Sequence, residues 1–366
     1  MNKSKLLIVT SEFPPEPGGI GNHAKNLATY LVQKGYVVEL ICDQRRNNAS
    51  SELLFDATLP FIVYRVRLFK IRALMYIKRF TLLFHHIRKN DIIIASGKFS
   101  LWTVASSSLF FKRKYIAVIH GSEVNLKNIF LKKVTNLSLK RFNSIIAVSN
   151  FTKSLIENLN LSTIHVIQNG FEKIVPSANT NEEISNYYPN FITVGSVTER
   201  KGQLNFIKAI PKLLEKYPDL HYHLVGSPAE KGHFYKEAQG LGVGNYLTFY
   251  GIVSDDKKHQ LLKNSDLFVM LSNNTSTGDV EGFGIAILEA NNLGVPAIGS
   301  KNCGIEDAIA HNKTGVLVDP MDEVEIFRAV NKILESKQQF SENAVNWSHN
   351  FYWDTVIDTY GKIIEA

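Results

Sequence analysis

Two carboxylates frame the segment EGFGIAILE, Glu281 to Glu289. At such a spacing two acids could share a proton, hold an ion, or bind two parts of one ligand. Were all nine residues helical, the acids would stand about 80° apart around the axis and about 12 Å apart along it. That separation does not suit one reacting atom, nor the paired acid and base of sugar hydrolysis. It suits two stations on one long ligand. Gly282, Phe283 and Gly284 follow the first acid, and a helix is expected to begin near Gly284. The N–H groups of Phe283, Gly284 and Ile285 would then lack helical acceptors and be open to an anion. Glu289, about one turn in, suits two ribose hydroxyls; Glu281, in the loop, suits a sugar hydroxyl. The bland alternative is a loop acid followed by a core helix with a second acid on its solvated face.

Three other loops carry usable chemistry. FITVGSVTERKGQLNFIKAI places Arg200, Lys201 and Gly202 between an apolar run and a helical pattern. Adjacent cations at a helix start oppose its dipole, which is unfavourable unless an anion sits there. A diphosphate fits, with Arg as a fork and Lys as a point charge. YIAVIHGSEV sets His120 and Glu123 just past another apolar run. EFPPEPGGIGNHA sets Gly18, Gly19 and Gly21 ahead of a helix, where glycine backbone can approach a phosphate. That loop has neither the GxGxxG order nor a P-loop Lys-Ser/Thr.

The elements that must position these loops follow from the apolar runs. KLLIVTSE, VVELICD, FIVYRVRLF, DIIIASG, YIAVIHG, SIIAVSN and IHVIQNG form one series; FITVGSV, HYHLVGS, YLTFYGIV, LFVMLS, VPAIGS and GVLVDP form a second. They are near-continuous rather than alternating, which marks strands covered on both faces, hence parallel sheets with helices on each side. Amphipathic stretches such as GNHAKNLATYLVQKG alternate with them, with Gly35 as the expected C-cap. The polar stretch 176–190 between the two series reads as a linker. Two doubly wound domains facing across a cleft are expected, with ligands beyond the C-terminal strand ends.

Composition narrows the class. With 366 residues, 45% of them hydrophobic and 20% charged, the chain is globular and long enough for two cores. Two distant cysteines, Cys42 and Cys303, make no disulfide framework and no metal cluster, which fits a reducing cytoplasm. The run Leu6 to Val9 is too short for a secretory leader and reads as a first strand. No stretch approaches the roughly 20 apolar residues of a membrane span. Residues 1–185 carry 25 Lys and Arg against 12 Asp and Glu, the remainder 16 against 22. The basic first half is expected to face something anionic. LFKIRALMYIKRFTLLFHHIRKN, with Lys70, Arg72, Lys78, Arg79, Arg88 and Lys89, and LKNIFLKKVTNLSLKRFN mix cations with apolar residues, as helices lying on anionic membranes do. No nucleic-acid motif accompanies the charge.

Together these residues resemble a family-4 retaining glycosyltransferase of the GT-B fold. The family's E-x7-E element reads EGFGIAILE. Its other landmarks follow in order: the N-terminal GG, HGSE, AVSNFTKSLI, IQNGFE, RKG, YGIVSDDK, GVPAIGS and HNKTGVLVDPMD. The resemblance covers nearly the whole chain. It implies an acceptor-binding domain at 1–180, a donor-binding domain at 181–345, and a C-terminal helix at 346–366 that crosses back to the first. It also implies residue roles. Glu289 would hold the ribose of a nucleotide-sugar and Glu281 the transferred sugar. The Phe283, Gly284 and Ile285 amides, beside Gly282, would touch sugar or diphosphate. Lys201 matches a diphosphate-binding lysine, and Gly18 and Gly19 would approach the diphosphate. His120 matches a histidine near sugar and acceptor, and Gly251 to Val253 the seat of the base. Many members carry Arg where this chain has Ser196, so Arg200 is assigned part of that missing charge.

The implied reaction moves a hexose from a UDP- or GDP-sugar to a saccharide or lipid-linked acceptor, in the synthesis of cell-envelope glycan, polysaccharide or glycolipid. Lys201, Arg200 and helix-terminal N–H groups would stabilise the leaving diphosphate. The nearest thing to a DxD element, Asp279 and Glu281, loses Glu281 to the sugar, so no metal or other cofactor is expected. The protein is expected in the cytoplasm, docked at the inner membrane face. Within the same fold a sugar-nucleotide epimerase or a binding-only relative would share the architecture. A dinucleotide-dependent oxidoreductase would need the glycine fingerprint that PEPGGIGNHA lacks.

Overall fold

The computed structural model describes residues 3–16, 18–46, 49–161, 163–175 and 187–366. The strands are β1 (Lys5–Thr10), β2 (Val37–Asp43), β3 (Ile62–Val66), β4 (Ile92–Ser96), β5 (Lys114–Ile119), β6 (Ser144–Ala147), β7 (Ile164–Val166), β8 (Asn190–Val194), β9 (His221–Val225), β10 (Leu247–Gly251), β11 (Leu267–Met270), β12 (Ala297–Ser300) and β13 (Gly315–Val318). The helices are α1 (Gly19–Gln33), α2 (Ser50–Asp56), α3 (Arg72–Ile87), α4 (Lys98–Ser107), α5 (Ile129–Leu139), α6 (Asn150–Ser154), α7 (Gln203–Leu214), α8 (Lys231–Gly240), α9 (Asp255–Lys263), α10 (Ile285–Asn292), α11 (Glu323–Glu335), α12 (Lys337–Ser348) and α13 (Trp353–Glu365). Each strand falls on one of the apolar runs named above.

Two compact units divide the chain. Unit 1 is Met1–Gly170 with Trp353–Ala366, and unit 2 is Phe171–Tyr352. Unit 1 holds a parallel sheet of order β3-β2-β1-β4-β5-β6-β7, and unit 2 one of order β10-β9-β8-β11-β12-β13. In both, the first strand of the unit lies mid-sheet and the order reverses beside it. Central strands are continuous apolar runs because both of their faces are covered: Leu6, Leu7, Ile8 and Val9 have no exposed surface. Helix α1 buries Ala24, Leu27, Ala28 and Leu31, one stripe at helical spacing. Gly35, at φ +88°, then ends it in the left-handed conformation. In unit 2, Phe191, Phe206 and Tyr222 anchor the core between β8, β9 and α7.

The last helix completes unit 1. Trp353 stacks on Tyr30 of α1, ring centroids 5.8 Å apart, and the Tyr36 hydroxyl donates to Glu365 at 2.6 Å. Lys114 Nζ donates to the carbonyls of Ile363 and Ile364 at the helix end (2.7 and 3.1 Å). Of the stretch 176–190 expected to be a linker, 176–186 lies outside the described residues, and Asn190 already belongs to β8. Cys42 and Cys303 are buried free thiols.

The basic face expected on α3 needs one correction. Arg79 is buried, paired with Asp43, and lies over the rings of Tyr76 (5.3 Å) and Phe99 (5.8 Å). A cation this enclosed is retained only with a counter-charge, so Arg79 serves the interior of unit 1 rather than a surface. Among the described residues no helix is long and apolar enough to cross a membrane.

Candidate functional site

In unit 2 the order reverses between β8 and β11, so the loops after these strands diverge to opposite faces and leave a crevice at their ends. The loop after β8 ends in a 3-10 turn, Glu199–Lys201, and then Gly202 at φ +69°. A Cβ on Gly202 would stand 1.6 Å from the carbonyl oxygen of Leu271, just past β11. Only glycine lets the two loops press together this closely. Asn205 fastens them: its Nδ2 donates to Leu271 O (3.1 Å) and to Asn273 Oδ1 (3.0 Å), while the Asn273 N–H donates to Arg200 O (2.9 Å).

On this clamp sits a cluster of four charges. Glu281 is buried, and its Oε2 accepts from Lys201 Nζ at 2.7 Å and from Arg200 Nη1. Arg200 Nε also reaches Asp279 Oδ2 at 3.2 Å. Burial pushes the Glu281 carboxyl up, but the charges and hydrogen bonds of Lys201 and Arg200 outweigh it and hold the acid below its usual range. This answers the question raised by two adjacent cations. They lie on the turn before Gly202 rather than in the first turn of α7, and Glu281 supplies an anion to both. Paired cations here do not by themselves demand a bound phosphate.

The backbone beyond Glu281 is held in place. Gly304 N–H donates to Glu281 O at 2.9 Å, and a Cβ on Gly304 would fall 1.9 Å from Gly282 O. The Phe283 ring is buried beside Phe351, centroids 5.9 Å apart. Gly284, at φ +91°, caps α10, which begins at Ile285. The first N–H groups of that helix follow directly on the Glu281 cluster, and such groups have no acceptor within their own helix.

Glu289, on α10, has a different partner. Its Oε1 lies 3.1 Å from Lys258 Nζ on α9, which also meets Asp255 at 3.0 Å. Burial pushes the Lys258 ammonium down, and the two acids outweigh that and raise it. Gly251 ends β10 at φ +70°, and its carbonyl accepts from Gly226 N–H at 2.8 Å. Val253 is half-buried before Ser254, whose hydroxyl caps α9. The two acids of EGFGIAILE are thus separated by partner as well as by position. Ser196 is exposed, and its carbonyl accepts from Gln203 Nε2 at 3.0 Å. The Arg200 side chain is committed to Asp279 and Glu281. Lys258 escaped the sequence reading because SDDKKHQLL looks like an ordinary solvated helix start.

In unit 1 the order reverses between β1 and β4. Gly18 has extended backbone and precedes α1; a Cβ there would meet Glu12 Oε2 at 2.6 Å. Gly19 faces open space. Gly21, by contrast, packs so tightly that a Cβ would stand 3.0 Å from the backbone of Glu12 and Phe13. His120 follows β5. Its Nε2 is 2.9 Å from Ser96 Oγ, and its N–H donates to Glu123 Oε1 at 2.6 Å. The ring meets His23 of α1 edge-on at 5.0 Å, and His23 Nε2 lies 3.0 Å from Tyr360 OH of α13. Burial pushes His120 down to about 4, and burial with His120 beside it pushes His23 well below its ordinary range. Glu123 moves the other way. Burial raises it to about 7 although the N–H groups of His120, Glu123 and Gly121 favour its ionised form. Ser96 and His23 carry no motif of their own, and only the fold brings them to His120. Among the described residues no group of three or more His, Cys, Asp or Glu side chains could hold a metal ion.

Known proteins are similar to this chain in sequence and fold. Residues 17–173 match the model described as Glycosyltransferase Family 4, and residues 178–350 the model described as Glycosyl transferases group 1. A GDP-mannose-dependent alpha-(1-6)-phosphatidylinositol monomannoside mannosyltransferase of Mycobacterium tuberculosis is 25% identical over 357 residues, spanning 90% of this chain and 89% of that one. Among solved structures, sucrose-phosphate synthase from Thermosynechococcus elongatus superposes with a TM-score of 0.84 at 18% identity, covering 99% and 98% of the two chains. The Anabaena protein HepE, solved with UDP-glucose, gives 0.79 at 21% identity, covering 99% and 100%. These two show the fold. The chain belongs to glycosyltransferase family 4 and is a sugar-transferring enzyme of the GT-B fold.

Proposed function

We propose that the enzyme transfers a hexose, with retention, from a UDP- or GDP-sugar to a glycan or lipid-linked acceptor, and that unit 2 binds the donor at the β8–β11 crevice. The observation that carries this reading is the buried Glu281 held between Lys201 and Arg200 at the start of α10. Lys201 and Arg200 neutralise the leaving diphosphate, and the N–H groups of Phe283, Gly284 and Ile285 add fixed dipoles. Glu281 turns to the transferred sugar and Glu289, steadied by Lys258, to the ribose. The base rests at Gly251 to Val253. Unit 1 binds the acceptor, with His120 in its binding loop. The bond from C1 to the phosphate oxygen breaks, the acceptor oxygen joins C1 on the same face, and the leaving phosphate takes the acceptor's proton. The side chains that meet the diphosphate are cationic, so transfer proceeds without a metal.

The Mycobacterium tuberculosis relative is named for a phospholipid acceptor and GDP-mannose, which favours a lipid-linked acceptor here. The surface of unit 1 supports the same reading. Ile71, Leu74 and Ile77 on and before α3, and Ile129 and Phe130 on α5, are exposed, with Lys70, Lys78, Lys127, Lys132 and Lys133 exposed among them. Helix α4 joins the two groups: Tyr76 meets Phe99 at 5.7 Å, and Trp102 Nε1 donates to Thr135 at 2.9 Å. An apolar surface ringed by lysines suits peripheral docking on an anionic membrane face. Nucleotide release from UDP-, GDP- and ADP-hexoses, assayed with an envelope extract and with EDTA present, tests the transfer. Release from a UDP- or GDP-sugar that depends on the extract is expected. Epimerised donor with no extract needed, or loss of activity in EDTA, would refute the reading.

A further inference from the structure

Lys114 is the first residue of β5 and His120 follows the last, so the two stand roughly 20 Å apart along the strand, at about 3.3 Å per residue. The pleat puts Lys114 on the same face as Ile116, which pairs with Ser144 at the start of β6. Ser144 in turn shares its face with Ile146, and Ile146 pairs with His165 of β7. Lys114, Ser144 and His165 therefore lie on one face of the sheet in unit 1. Helix α13 meets that face: Lys114 Nζ donates to the carbonyls of Ile363 and Ile364 in its last turn. These residues line a cavity of about 1000 Å³, to which α6 adds Lys153 and α13 adds Lys362.

Among the described residues that line this cavity there is no Asp or Glu. Arg200 and Lys201 have Glu281 between them, whereas Lys114, Lys153 and Lys362 share a wall with no acidic side chain. Lys114 shows the consequence. Burial pushes its ammonium below the ordinary range, and no acidic side chain there reverses the push, as two acids do for Lys258. An ammonium carries three donors, and Lys114 spends two of them on the helix carbonyls. The hydroxyls of Ser144, Thr163 and Thr359 stand among the lysines as further donors. Lysine point charges with hydroxyl donors and no guanidinium fork suit phosphate oxygens. The volume is far larger than one phosphate and lies at the top of the roughly 300–1000 Å³ of small-molecule sites. Ile167 and Ile363 give it apolar wall for the rest of a ligand. We propose that this cavity is a second ligand site, for a soluble small molecule that carries a phosphate or diphosphate and is of sugar-phosphate to nucleotide size.

Calorimetric titration of inorganic diphosphate into the full chain tests it, in a Lys201→Ala background that weakens the proposed donor site. A binding step should remain there. Adding Lys153→Gln and Lys362→Gln should lower its affinity about 10-fold or more, as expected on losing charge-assisted contacts. The same two substitutions in wild type should leave affinity for UDP and GDP unchanged, which separates this cavity from the donor site. In wild type labelled with 15N-histidine, diphosphate should shift the His165 ring signal, identified by its loss in His165→Asn. That readout needs no lysine variant to fold. No binding step in Lys201→Ala, an affinity that the two lysine substitutions leave unchanged, or a His165 signal that stays still overturns the proposal. If the lysine variant keeps its diphosphate affinity but no longer floats with phosphatidylglycerol vesicles, the lysines meet a lipid surface instead and the proposal falls.

Discussion

Lys201 Nζ stands 2.7 Å from the same Glu281 oxygen that Arg200 holds, so the buried acid and these two cations form one ion cluster in unit 2. A carboxylate in this setting stays charged because its partners outweigh the cost of burial. In the proposed reading, a diphosphate entering beside it would compete with Glu281 for the two cations and set the acid free for the sugar.

Glu281 and Glu289 should therefore fail differently. Glu281→Gln keeps the size but removes the competitor, so affinity for free UDP or GDP should hold or rise while transfer slows about 100-fold. Glu289→Ala should weaken nucleotide binding about tenfold, the effect of one lost charged hydrogen bond, and leave kcat nearly unchanged. Calorimetry and nucleotide-release kinetics measure both. The reversed pattern, with Glu281 governing affinity and Glu289 the rate, would show the assignment to be wrong.

The clamp beneath the cluster is a matter of stability. Gly202→Ala puts a Cβ 1.6 Å from Leu271 O at φ +69°. The left-handed conformation alone costs about 1–2 kcal/mol, and the clash adds to it. Gly19→Ala, with open space beside it, should change unfolding free energy by less than about 0.5 kcal/mol. Urea melts of the two variants decide; equal losses would mean that the loop contact is not tight in solution.

Glu123 gives the fold of unit 1 a pH signature. In the folded chain its proton stays on up to about pH 7, against an ordinary 4.5. Between those values unfolding releases a proton, so this contribution is complete below 4.5 and lost as pH rises to 7. His120, pushed from 6.5 to about 4, works oppositely and loses its contribution as pH falls through that range. Glu123→Gln imitates the protonated acid and removes only the first effect. Relative to wild type the variant should gain on the order of 2–3 kcal/mol between pH 5 and 7.5, measured by denaturant unfolding. A difference that does not change with pH would place the Glu123 proton elsewhere.

Much of this was legible beforehand because apolar runs and glycine-rich strand ends are local signals. The runs mark both sheets since parallel strands are covered on both faces, and EGFGIAILE marks the start of α10. What stayed hidden depends on residues distant in the chain. No pattern announces that Glu281 reaches back to Lys201, that Lys258 reaches Glu289, or that Ser96 and His23 close on His120. Arg79 looked like a surface cation because helical periodicity does not reveal that Asp43 waits beneath it.

The exposed apolar and basic surface of unit 1 should bring the protein to anionic vesicles. Flotation with phosphatidylglycerol vesicles should carry it, with phosphatidylcholine alone it should not, and Lys132→Glu with Lys133→Glu should reduce binding severalfold, since each such cation near the surface is worth about 1 kcal/mol. Equal partition onto both vesicles, or none onto either, would remove the electrostatic docking.

The central claim is that Lys201 and Arg200 of unit 2 receive the diphosphate of the donor. Calorimetric titration of UDP and of GDP into wild type and Lys201→Ala tests it most directly. One of the two nucleotides should bind wild type and lose at least about 10-fold in affinity in the variant, as expected for a charge-assisted contact. If neither nucleotide binds wild type, or if Lys201→Ala binds as tightly, the site lies elsewhere.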